Sequence, residues 1–179
     1  MSIGHEYLKI VINRFESVKS LGDKTIDQLS EEDIFWAYNS ESNSAAIIIK
    51  HMSGNMVSRW TDFLNSDGEK DFRNRDGEFI TDLSSKSEVM LIWEKGWQTL
   101  MNALAGLTEQ DLLKTITIRG EPHSVIDAIE RQLAHYAYHV GQLVYIGKQV
   151  KHDDWESLSI PKGKSEDYLS DMLEKHQGK

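Results

Sequence analysis

Cysteine is absent from the 179-residue chain. Its absence excludes disulfide bonds, thiolate metal ligands and cysteine nucleophiles, and it is compatible with a reducing cytoplasm. The chain also lacks any run approaching the ~18 apolar residues that cross a membrane. Its N-terminal segment mixes charged residues with apolar ones, unlike a signal peptide. We therefore expect a soluble, cytoplasmic protein with no membrane partner.

Basic residues are few relative to acidic ones. The chain has 20 lysines and arginines against 29 aspartates and glutamates, a formal net charge of −9. Nucleic-acid binding requires a basic surface that displaces counterions. The strongest basic stretch, 73–75, is followed at once by Asp76 and Glu78. We expect no nucleic-acid partner.

Proline is also rare, and both residues, Pro122 and Pro161, lie outside the segments with helical periodicity. Apolar residues spaced three and four apart predict four long helices. The first ends at Gly22, the second ends near Leu64, and the third begins with a capping box at Ser85. The predicted ranges are 3–21, 43–64, 85–106 and 124–147.

The connecting segments have different characters. Segment 65–83 is polar and predicts a long loop, a kind of segment that is usually functional or disordered. Alternation over 115–118, followed by a turn, predicts a small hairpin before the last long helix. Segment 150–179 predicts a tail that packs partly on the body and frays at its end. Each of the four predicted helices has an apolar stripe that must be buried against another helix. We therefore expect an all-α fold, a four-helix bundle, with residues 1–179 as one domain.

Three histidines are the strongest functional signal. His135 and His139 are four residues apart in HYAYH, which places both imidazoles on one helix face. His51 lies in the middle of the second predicted helix, beside its apolar stripe. Three imidazoles meeting in a bundle core would form a metal site with one coordination position left for water or substrate. The other interpretation is that they are ordinary core-edge histidines satisfied by hydrogen bonds.

Other candidates carry weaker signals. Gln132 and Gln142 share the histidine face of the last helix and could orient the rings. Glu130 could reach the site, although an exposed helical acid is the commoner case. Ser53 and Ser58 are near His51 in sequence, but serines on helices are seldom nucleophiles. Four tryptophans are more typical of core packing than of a substrate cage: Trp36, Trp60, Trp93 and Trp97.

The order of these parts resembles the DinB/YfiT-like superfamily of metal-dependent helical bundles. The matching pieces are His51 within SNSAAIIIKHMSGN, the hairpin before the last helix, and the HxxxH of His135 and His139. FRNRDGEF and LSIPKGKSE are similar to segments of one uncharacterised branch, so the likeness covers nearly the whole chain. The resemblance implies that His51, His135 and His139 bind a divalent metal, zinc or nickel.

Relatives of known activity in that superfamily include bacillithiol- and mycothiol-dependent S-transferases and thiol-dependent isomerases. The resemblance therefore implies a metal-dependent transferase that uses a low-molecular-weight thiol, or a hydrolase, acting on a small molecule. The alternatives are a non-catalytic metal- or ligand-binding module, or a purely structural bundle. Bundles that expose an apolar helix face often pair, so we expect a homodimer.

Overall fold

A computed structural model describes residues 2–80 and 82–177 of the chain. Met1, Thr81, Gly178 and Lys179 lie outside the described residues, so the predicted loop 65–83 and tail 150–179 are described except at those positions. The described elements are α1 Ile3–Gln28, α2 Ala45–Trp60, α3 Lys86–Ala105, β1 Thr115–Ile118, β2 Glu121–Ser124, α4 Val125–Lys151 and α5 Ser165–His176. The fold is mostly helical with one small hairpin, as predicted. No helix in the described ranges is long and apolar enough to cross a membrane.

Two glycines that predicted helix ends lie inside helices instead. α1 continues through Gly22 to Gln28, and α4 continues through Gly147 to Lys151. An added Cβ at Gly22 would lie 2.6 Å from Cη2 of Trp93, and one at Gly147 would lie 2.6 Å from Cζ3 of Trp155. Both predictions of a helix end were wrong because these glycines allow an indole to pack closely on the helix.

The end of α2 also differs from the prediction. The helix begins as expected, with the Ser44 side chain accepting a hydrogen bond from Ile47 N. It ends at Trp60, four residues before Leu64, and Asp62 has a φ of 48°. The chain therefore turns away early, and the connecting segment begins at Thr61.

The core lies among the four long helices. α2 packs against α3 and α4, and α1 packs against α4 and α3. Trp60, Trp93 and Trp97 are buried, which agrees with packing. Trp36 departs from that prediction, since it is 38% exposed and lies outside the buried core. Tyr136 of α4 is fully buried, donating its hydroxyl to Asn55 Oδ1 at 2.9 Å and accepting from Trp60 Nε1 at 3.1 Å. This hydrogen-bond chain fixes α4 against α2 next to the histidines.

The predicted hairpin is confirmed. β1 and β2 pair antiparallel, with Ile118 opposite Glu121. Arg119 and Gly120 form the two-residue turn with φ of 58° and 75°, as a type I′ turn requires. The turn lies against the segment that follows α2, since Asp67 accepts hydrogen bonds from the backbone N–H groups of both turn residues.

The tail is less integrated. Trp155 lies against Gly147 of α4. α5 contains no buried residue, and Tyr168, Leu169 and Leu173 are exposed along it.

Candidate functional site

His51, His135 and His139 come together where α2 faces α4. One nitrogen from each ring lies within 4.8 Å of the others. His51 is 6% exposed, and the two histidines of α4 are half-buried. The rings of His51 and His139 meet edge to face with centroids 5.0 Å apart. The sequence predicted that these residues would converge, and they do.

Hydrogen bonds on the outer side of the cluster fix two of the rings. His51 Nδ1 donates to Glu78 Oε2 at 2.9 Å, and His139 Nδ1 donates to Gln142 Oε1 at 2.7 Å. Each of these rings therefore carries a proton on Nδ1 and turns Nε2 inward, and in a neutral ring that Nε2 presents a lone pair. Gln142 was predicted to orient a histidine, and its side chain makes that contact.

His135 completes the cluster. Its Nε2 is 3.0 Å from Nε2 of His139, and since the latter presents a lone pair, His135 donates in this contact. A shift of that proton to Nδ1 of His135 would give three inward-facing nitrogen donors. Burial, together with the nearby His139 and His51, lowers the pKa of His135 to about 3. Burial likewise lowers the pKa of His139, against the Gln142 hydrogen bond. Both are thus neutral near pH 7, the form of imidazole that coordinates metals.

Glu78 contacts the histidine cluster, and the sequence did not indicate that contact. Besides His51, it accepts hydrogen bonds from Arg73 Nε at 2.7 Å and Nη2 at 3.0 Å. Burial raises the pKa of Glu78, but the hydrogen bonds from His51 and Arg73 outweigh it and hold that pKa below its usual value. Glu78 is therefore an ionised carboxylate with both oxygens engaged.

Glu78 belongs to a short 3₁₀ turn, Asp76–Phe79, inside the predicted loop 65–83. The next residue, Phe79, stacks on the His51 ring with centroids 4.9 Å apart. The only sequence signal for this contact was the length of the loop and its aromatic residues. No periodic pattern could indicate which acid would face a histidine 27 positions away.

Among the described residues, none of the other candidates forms a hydrogen bond with a histidine of the cluster. Glu130 accepts a hydrogen bond from Tyr7 of α1 at 2.9 Å, so it does not point to the histidines. Ser53 donates to Ile92 O, and Ser58 donates to Gly68 O, so both hydroxyls are used structurally. Gln132 is buried, but its Oε1 has no hydrogen-bond partner in the part of the chain that is described.

A wide aromatic groove lies beside the α4 side of the cluster. It has a volume of about 860 Å³, and its walls include Trp36, Tyr38, Tyr138 and Tyr145. Gln142 and Tyr138 line this groove and also touch His139, through a hydrogen bond and a ring contact at 5.0 Å. A small molecule in the groove would lie next to the cluster.

One comparison with known proteins identifies a family, and it gives no activity. No protein of curated function matches the chain. Residues 2–164, which include all three histidines and Glu78, match a family described as protein of unknown function, DUF1572. The chain belongs to the DUF1572 family.

Proposed function

We propose that His51, His135 and His139 bind one divalent metal ion, zinc or nickel, in a four-helix bundle of the DinB/YfiT-like kind. The observation that carries the proposal is the convergence of three ring nitrogens within 4.8 Å. Three imidazole donors with a free fourth position are typical of catalytic rather than structural zinc sites.

The surroundings of the rings favour a metal site over a set of core-edge histidines. A histidine ligand usually donates its outer N–H to a carboxylate or carbonyl oxygen, which fixes the tautomer and raises ligand basicity. Glu78 and Gln142 make those contacts to His51 and His139. With Nδ1 held from outside, each of these two rings turns Nε2 toward the other histidines, as ligands of one shared ion would.

The reaction that fits best is transfer of a small molecule onto a low-molecular-weight thiol. A divalent ion in such a site is a Lewis acid that lowers the pKa of a thiol or water in its remaining position. A metal hydrolase generally also uses a carboxylate as general base, and both oxygens of Glu78 are engaged by His51 and Arg73. A thiol bound to the ion would release its proton to solvent, and the resulting thiolate would form the new bond as the leaving group of the small molecule departs. That step would need no carboxylate base, so the arrangement supports a transferase over a hydrolase. The aromatic groove would hold the part of the small molecule that does not react.

Metal binding is tested by elemental analysis of purified protein. We expect one zinc or nickel per chain in the wild type and in His5→Ala, a control at an exposed histidine of α1. His51→Ala should lose the metal while keeping its helical circular dichroism. Equal metal content in His51→Ala and wild type would contradict the proposal.

Activity is tested on the same preparations with a thiol panel and monochlorobimane as electrophile. Metal-loaded wild type should accelerate conjugation, and His139→Ala should not. A protein that binds metal but accelerates no member of the panel would instead be a non-catalytic metal-binding module.

A further inference from the structure

Five of the six arginines of this acidic chain line one small pocket. They come from four separate parts of the fold: the end of α2, the segment after it, the hairpin turn and α4. The five are Arg59, Arg73, Arg75, Arg119 and Arg131. The pocket has a volume of about 170 Å³, and His51 and His135 form part of its wall. It therefore borders the histidine cluster, and none of its lining residues is shared with the aromatic groove.

Carboxylates neutralise only part of this charge. Glu69 and Glu78 pair with Arg73, and Glu69 also pairs with Arg119 at 3.1 Å. Within residues 2–80 and 82–177, Arg59, Arg75 and Arg131 form no ion pair with a carboxylate. Like charges held together without counter-charges repel one another, so this arrangement stabilises a bound anion.

Arg59 is the most unusual member because it is buried without partners. It is 3% exposed, and its Nε and Nη1 have no hydrogen-bond partner among the described residues. Burial lowers the pKa of Arg59, which reflects the same desolvation. Gln132, 2% exposed on the same wall, also has an unpartnered Oε1. Buried polar groups are almost always satisfied, so the unpartnered N–H groups of Arg59 indicate a ligand that accepts hydrogen bonds, whereas Oε1 of Gln132 would need a protonated oxygen of that ligand.

The position of Arg59 is specifically accommodated. An added Cβ at Gly68 would lie 2.6 Å from Nη1 and 2.8 Å from Cδ of Arg59, so a glycine is needed where the guanidinium passes. Arg75, Arg119 and Arg131 are exposed, and they form the mouth of a pocket whose floor is Arg59.

We propose that this arginine pocket binds a phosphate or carboxylate group of the small-molecule substrate. Guanidinium groups recognise both oxyanions through paired N–H donors. The pocket holds roughly five water volumes, which fits one oxyanion group and not a polymer. The proposal rests on the proposed function, because the bound anionic group is taken to be one part of a substrate whose other part reaches the histidines. It adds that the substrate is acidic.

The test is calorimetric titration with inorganic phosphate, and separately with malonate, at constant ionic strength. Wild type should bind at least one of the two saturably. Arg131→Gln, at an exposed position, and Arg59→Gln should each weaken binding by about tenfold or more. Arg14→Gln, at the one arginine outside the pocket, is the matched control and should bind as wild type does. Absence of saturable binding to wild type, or wild-type affinity in Arg131→Gln, overturns the proposal.

The titrations are run on the protein as purified and after chelation, and on His139→Ala. His139 does not line the arginine pocket, so oxyanion binding should persist in this variant after its metal is lost. A protein that binds oxyanion but no metal would contradict the proposed metal site alone. A protein that binds metal but no oxyanion would contradict the arginine pocket alone.

Discussion

Glu78 reaches His51 because α2 carries a glycine, Gly54, where the carboxylate lies. An added Cβ at Gly54 would be 2.8 Å from Cδ of Glu78 and closer still to its Oε1. Glycine inside a helix costs about 1 kcal/mol relative to alanine. The helix therefore gives up stability at a position where a methyl group would displace the residue that orients His51.

The Gly54→Ala variant tests whether Glu78 positions His51, separately from any effect on folding stability. The gain in helix propensity, about 1 kcal/mol, should be opposed by displacement of the Glu78 side chain, so the free energy of unfolding should change little. Zinc affinity, measured by competition with a chromophoric chelator, should fall about ten- to hundredfold because His51 loses its orienting partner.

Gly141→Ala is the matched control, since Gly141 lies in α4 with open space around an added Cβ. It should become more stable and bind zinc as wild type does. Wild-type zinc affinity in Gly54→Ala would show that Glu78 does not position His51.

Local sequence spacing predicted the histidines of the cluster, and it could not predict the contact of Glu78 with His51. His135 and His139 are one helical turn apart, so their adjacency follows from the helix alone. His51 required the contact between α2 and α4, which the resemblance implied and periodicity did not. Glu78 follows from neither, because its neighbours are set by how a loop crosses the bundle.

The segment after α2 is the element that connects the hairpin to the histidines. Asp67 accepts hydrogen bonds from the N–H groups of Glu69, Arg119 and Gly120 at 2.7–2.8 Å. Ser58 of α2 donates to Gly68 O and accepts from Lys70 N, both at 3.0 Å. The sequence predicted only a loop here because most of these bonds join residues ten or more positions apart. The helices and the hairpin were predictable because their own bonds are local.

The Asp67→Asn variant tests whether the Asp67 carboxylate stabilises the segment after α2. The quantity compared with wild type is the pH dependence of the free energy of unfolding. Burial raises the pKa of Asp67, but the backbone hydrogen bonds from Gly120, Glu69 and Arg119 outweigh it and hold the pKa well below its usual value. A carboxyl whose folded pKa is depressed contributes stability above its unfolded pKa of about 3.9. That stability is lost as the pH falls toward the folded pKa.

At pH 7, Asp67→Asn should lower the free energy of urea unfolding by about 1–3 kcal/mol. The difference from wild type should shrink as the pH falls below about 4, near the unfolded pKa. Asp71→Asn, an exposed acid of the same segment, should unfold like wild type. A difference that stays constant down to pH 3 would show that the charge of Asp67 is not what stabilises the turn.

Charge is distributed unevenly over the folded molecule, and the amino-acid composition alone does not reveal this. A net charge of −9 predicted no nucleic-acid partner, but it gives no indication that five arginines line one pocket. Those arginines are spread over 73 sequence positions, from 59 to 131, so only the assembled fold brings them together. His51 and His135 line the arginine pocket, and His139 contacts Gln142 and Tyr138 of the aromatic groove. Under the proposed function, a substrate with one acidic end and one apolar end would fit both.

Binding of one metal ion by the three histidines is tested most directly by anomalous diffraction from a crystal of zinc-loaded protein. We expect a single strong peak at the zinc edge, about 2.0–2.1 Å from a nitrogen of His51, His135 and His139. The peak should be absent from an isomorphous crystal of His139→Ala. Fully loaded crystals with no peak among the three rings, or with a peak bound by other residues, would contradict the proposed site.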